Sequence, residues 1–193
     1  MLIKDIKPSK KTIELPFQRV TSVNMNPTTY NFDLTNMSFY ESGTYYATTT
    51  LQMQPYFKKI FTIEVSLNIF ENTHKHLSQY NNITHINGAT EDIIKDIIIN
   101  NPKEEFIFFL DGHYSSGDTG SSNIEVPLLE ELTQINTYYK KKGIIIIDDY
   151  NLFQTNSNED WSNITIDNVL KCFTNNKIYT YFIQNNRMII ILY

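Results

Sequence analysis

Several apolar runs in this sequence end in carboxylates, and those ends are where chemistry would gather. Phe39-Tyr40 leads into Glu41-Ser42-Gly43-Thr44-Tyr45, and Phe61-Thr62-Ile63 leads into Glu64-Val65. Further on, Phe106-Ile107-Phe108-Phe109-Leu110 leads into Asp111-Gly112-His113, and Gly143-Ile144-Ile145-Ile146-Ile147 leads into Asp148-Asp149. An acid at a strand tip beside a glycine turn that opens a helix is suited to the two hydroxyls of a ribose, so the expected ligand is an adenosine-containing cofactor. Asp111, Asp148 and Asp149 would repel one another if they converged. A divalent cation such as magnesium or calcium, which prefers hard oxygen ligands, would relieve that repulsion.

These tips require a sheet that brings them to one edge. The pattern predicts strands over 37–40, 60–64, 84–87, 105–111 and 144–148, alternating with helices over 45–54, 67–80, 91–100 and 125–141. Such alternation with short loops marks a parallel, doubly wound α/β sheet whose ligands lie outside the carboxyl ends of its strands. In the last of these helices Leu128, Leu129, Leu132, Ile135 and Tyr138 share one face, which should pack on the sheet. Ser162 is placed to cap a short helix through Phe173. Two β-rich runs follow, 177–183 and 188–193, and the Asn185-Asn186 pair between them tolerates positive φ and favours a tight antiparallel hairpin. Residues 1–36, with Pro8, Pro16 and Pro27, lack sustained periodicity and read as an N-terminal arm before a single domain over 37–193.

From about Met37 to Tyr193 the order of motifs resembles a class I S-adenosylmethionine-dependent methyltransferase. The pair Asp111-Gly112-His113-Tyr114 and Asp148-Asp149-Tyr150 resembles, more particularly, the metal-dependent sugar O-methyltransferases of the macrocin type. The resemblance implies a Rossmann-like sheet, mostly parallel, with a C-terminal antiparallel hairpin and strand order 3-2-1-4-5-7-6. It implies S-adenosylmethionine contacts from Glu41, Ser42, Gly43, Thr44 and Tyr45 near the methionine end, and from Glu64 and Val65 at the ribose. Gly88, Ala89 and Thr90 would border the adenine, and Asp111 would lie at the cofactor edge. Asp111, Asp148 and Asp149 would hold a divalent metal, magnesium by preference, and His113 would be the general base. Ala47 stands where the family usually carries a second glycine.

The segment from His113 to Asn123 is small and polar, as active-site loops often are. O-methylation needs a hydroxyl made nucleophilic, and a histidine with an ordinary pKa near 6.5 is suited to removing its proton. His74 and His76, two apart on a helix, face different ways, and His85 alternates within a strand as a packing residue. Trp161 is placed either to wall a substrate pocket or to pack under the last helix, and Tyr114 and Tyr150 either line the acceptor site or cover the sheet edge.

Composition narrows the partners. With 41% hydrophobic and 13% aromatic residues, the 193-residue chain can bury a substantial core. A formal charge of -5 argues against a protein dominated by nucleic-acid backbone binding, and the Lys140-Lys141-Lys142 run falls before a strand, away from the expected site. The lone Cys172 sits in an apolar pattern and forms no intrachain disulfide, which fits a reducing compartment. Without a signal-peptide pattern or a membrane-length apolar stretch, the expectation is a cytoplasmic protein. Its acceptor would be a small molecule, with a homodimer possible through the arm. The alternative is a divergent, non-catalytic binding or assembly protein of the same fold. A nicotinamide-dependent oxidoreductase is disfavoured by the single-glycine turn and the terminal hairpin.

Overall fold

The computed structural model describes residues 36–113, 124–156, 159–173 and 178–193. Residues 1–35, all but the last of the expected 1–36 arm, and residues 114–123, with Tyr114 and Asp118, lie outside the described residues. Strands β1 (Ser38–Ser42), β2 (Lys59–Glu64), β3 (Ile83–Asn87), β4 (Phe106–Leu110), β5 (Gly143–Ile147), β6 (Ile178–Gln184) and β7 (Arg187–Leu192) form one sheet in the order β3-β2-β1-β4-β5-β7-β6. The first five are mutually parallel, and β7 runs antiparallel to both β5 and β6. This is the topology the resemblance implies.

The apolar runs are unbroken because helices bury both faces of the central strands. Alternate residues divide between two cores: Tyr40, Phe106, Phe108, Leu110, Ile145 and Ile147 enter one, while Phe39, Ile107, Phe109, Ile144 and Ile146 enter the other. Helices α1 (Thr48–Met53), α2 (Leu67–Leu77), α3 (Thr90–Asn100), α4 (Leu128–Tyr138) and α5 (Ile166–Lys171) occupy the connections. On α4, Leu128, Leu132 and Ile135 are buried, with Leu129 and Tyr138 packed against the same core, as the periodicity predicts.

Helix ends shift for identifiable reasons. Helix α1 begins at Thr48 rather than Tyr45 because Tyr45 (φ 47°) and Ala47 (φ 61°) adopt left-handed conformations. Pro127, with no N–H to donate, stands at the N-cap of α4 and delays its start from 125 to 128. The cap of α5 is Thr165, whose hydroxyl accepts from the Asn168 amide at 3.0 Å, not Ser162. Among the described residues, no helix is long and apolar enough to cross a membrane.

The sheet reverses direction of winding at β1, which lies between β2 and β4, and that reversal opens a crevice at their carboxyl ends. Gly43 (φ 80°) leaves β1 there with almost no room to spare. A Cβ built on it would come within 2.6 Å of the Asp111 carbonyl oxygen, while one on Gly112 would meet Ser42 Cβ at 2.8 Å. Gly43→Ala should therefore lower stability by more than about 2 kcal/mol, combining the left-handed penalty with backbone overlap. Urea unfolding followed by circular dichroism checks this, and an unchanged midpoint would contradict the tight packing of β1 on β4.

Candidate active site

The chain tightens around the first two strand tips. Gly43 and Thr44 both donate their amides to the Ile63 carbonyl, and the Thr44 hydroxyl pairs with that of Thr62 at 2.7 Å. Glu64 closes the turn: one carboxylate oxygen accepts the Tyr45 amide and the other the Ser66 amide, each at 2.8 Å. Burial raises the Glu64 carboxyl above its ordinary pKa, with the Ser66 and Tyr45 amides opposing the rise. Tyr45 and Tyr46 project outward with ring centroids 4.1 Å apart. The Ala47 methyl packs inside the protein at 2% exposure, so the residue in place of a second glycine does not intrude on the crevice.

Glu41 is placed differently from a crevice residue. It is 1% exposed, and its Oε2 accepts from the hydroxyls of Thr62, at 2.7 Å, and of Thr50 on α1. Burial pushes its carboxyl up to about 8, against those two hydrogen bonds, and the side chain faces the interior. At the third strand, the Gly88 amide and the Asn87 side chain both donate to the Glu64 carbonyl. Gly88, Ala89 and the buried Thr90 thus follow the Glu64 tip directly, at the start of α3. Val65 is half-buried beside them.

The other strand tips converge on His113. Its Nδ1 lies 2.8 Å from Glu159 Oε2, while its Nε2 lies 3.5 Å from Asp111 Oδ1 and 3.4 Å from Asp149 Oδ2. One ligand atom from each of Asp111, His113 and Asp149 lies within 4.8 Å of the others, a set that can hold a metal ion. Burial opposes charge on the ring, but Asp111, Asp149 and Glu159 outweigh it and push His113 up to about 10. The arrangement thus brings His113 to the strand tips, between Asp111 and Asp149 on one side and Glu159 on the other.

Asp148 leaves the cluster. It is buried and pairs with Arg187 through Oδ2 at 3.0 Å, while its Oδ1 accepts the Asp149 amide at 2.9 Å. Asp149 takes a left-handed conformation (φ 51°), and its Oδ2 lies beside His113 instead. The β6–β7 turn supports it: Asn186 donates from Nδ2 to Asp149 Oδ1 at 3.3 Å, and its carbonyl accepts the Tyr150 amide at 2.9 Å. Arg187, Asn186 and Glu159 are the site residues that sequence reasoning missed. In the sequence Asn186 reads only as part of a turn, and no local pattern points any of the three at the strand tips.

No protein-family model matches the chain, and no curated protein matches it in sequence. Solved structures do resemble it in fold. A candidate rRNA-methylase from Clostridium thermocellum superposes with a TM-score of 0.57 at 16% identity, covering 84% of this chain and 90% of that one. A candidate methyltransferase from Streptococcus mutans, solved in complex with SAH, gives 0.50 at 16% identity, covering 81% and 88% respectively. Spermidine synthase from Thermotoga maritima gives 0.52 at 13% identity, covering 83% of this chain and 54% of the synthase. At these identities the likeness establishes the Rossmann-like fold of class I methyltransferases.

Proposed function

We propose that this chain is an S-adenosylmethionine-dependent methyltransferase acting on a hydroxyl of a sugar or another small acceptor, with a divalent cation held by Asp111, His113 and Asp149. The observation that carries the reading is the contact between two half-sites at one sheet edge. The glycine turn and Glu64 lie on one side, and the carboxylate–imidazole cluster on the other, with Gly43 packed directly on Asp111. The fold's neighbours, among them the methyltransferase candidate solved with SAH, support the same class.

The residues fit both groups. Each Glu64 oxygen accepts one backbone N–H and keeps a second lone pair for a ribose hydroxyl. Two carboxylates and one imidazole nitrogen suit a magnesium- or manganese-type ion. When bound, such an ion would lower the pKa of the acceptor hydroxyl. In the transfer the hydroxyl oxygen forms a bond to the methyl carbon as the carbon–sulfur bond breaks, and the hydroxyl proton must leave. Asp111 is the best placed to take it, since its side chain is 34% exposed against 22% for Asp149 and 8% for Glu159. His113 acts here as a ligand. Although rRNA methylases share the fold, the formal charge of -5 favours a small acceptor over a polyanion.

Calorimetric titration with S-adenosylmethionine and S-adenosylhomocysteine, with and without magnesium, tests the proposal. Both should bind saturably. Absence of heat with either nucleoside across the micromolar to millimolar range would overturn it in favour of a non-catalytic protein of this fold.

A further inference from the structure

We infer that Glu159 is a positioning residue that dictates which ring nitrogen of His113 serves the cation site. The inference rests on the metal centre proposed above and concerns a residue outside its ligand set. Glu159 Oε2 accepts two N–H groups at once, His113 Nδ1–H at 2.8 Å and Trp161 Nε1–H at 2.7 Å. An indole N–H can only donate, so that oxygen is committed as an acceptor and holds the His113 hydrogen on Nδ1. Nε2 is then the nitrogen turned to Asp111 and Asp149. A carboxylate on the far ring nitrogen is the arrangement that orients a histidine ligand and raises its basicity.

The support is rigid. Trp161 is 3% exposed, with its ring 5.1 Å from that of His113 at 72° and stacked 6.1 Å from Phe153. Its backbone is tied on both sides: its amide donates to the Thr155 carbonyl, and its carbonyl accepts from the Gln154 amide. Glu159 is thereby fixed from behind, and His113 can neither flip nor rotate without breaking its hydrogen bond to Glu159.

Trp161 is the only tryptophan, so its emission reports on this cluster directly. Titrating cobalt(II) into the full chain should quench that emission saturably, and calorimetry with manganese(II) should give the affinity. Glu159→Ala should weaken manganese binding by about 10- to 100-fold, while Glu159→Gln, which keeps an oxygen acceptor for both donors, should lose less. Variants that melt like the parent and bind manganese equally well would reduce Glu159 to a tie for the Trp161 segment. A parent chain that binds neither ion would instead remove the metal centre itself. Should the alanine variant fail to fold, NMR of the zinc-loaded parent decides: the His113 ring must carry hydrogen on Nδ1, and hydrogen on Nε2 overturns the inference.

Discussion

Asp149→Asn is expected to remove most metal-dependent turnover while leaving the fold in place. Asparagine has the same shape and tolerates the left-handed backbone that residue 149 adopts, so the support from Asn186 and the turn geometry survive. What is lost is one of the two anionic oxygens facing His113 Nε2. Lewis-acid assistance is typically worth several kcal/mol, so turnover should fall by roughly two to three decades, with a parallel loss of manganese affinity. Asp148→Asn supplies the contrast. It should lower stability by weakening the buried pairing with Arg187, yet leave manganese binding in place, because Asp148 is engaged by Arg187 and lies outside the cluster. If calorimetry shows that both substitutions weaken manganese binding alike, the ligand set is the Asp111, Asp148 and Asp149 group that the sequence suggests; the opposite ranking would remove Asp149 from the set.

Glu64→Ala is expected to abolish detectable binding of S-adenosylmethionine. The substitution removes the ionised acceptor offered to the ribose, where each charged hydrogen bond is worth about 1.5 to 3 kcal/mol, or one to two decades in affinity. It also strands the Tyr45 and Ser66 amides, which both end on this carboxylate, so the glycine turn should loosen and the melting temperature fall. Glu64→Gln separates the two effects: an isosteric side chain with one oxygen acceptor should keep more of the stability while still losing affinity. A glutamine variant that binds the nucleoside as tightly as the parent would move the ribose away from Glu64.

Much of the fold was legible in local pattern. Strand runs at 60–64 and 84–87 and the apolar face of α4 were readable because burial on both faces, or on one stripe, leaves a periodic trace. Turn chemistry was less legible. Left-handed Tyr45 and Ala47 look like the first turn of a helix, since neither residue type advertises positive φ, and only the Glu64 carboxylate holding the Tyr45 amide explains why the helix waits until Thr48. Glu41 was misleading for a similar reason: an acid after an apolar run reads as a strand tip, whereas here it lies within β1, opposite Thr62, under α1.

Hydrophobic periodicity and chain direction are local properties, and they suffice to set the order of strands and helices and to gather acids at the carboxyl ends of β4 and β5. Which of those acids share a site was decided by tertiary structure. Asp148 and Asp149 are chemically identical neighbours, and they part company because Arg187, 39 residues later, arrives beside Asp148 through the antiparallel register that sets Ile147 opposite Met188. Glu159 reaches His113 across 46 residues in the same way. Contacts of that range follow from how strands register and how connecting segments fold back on them, and a carboxylate's partner is chosen by that geometry rather than by its neighbours in the chain.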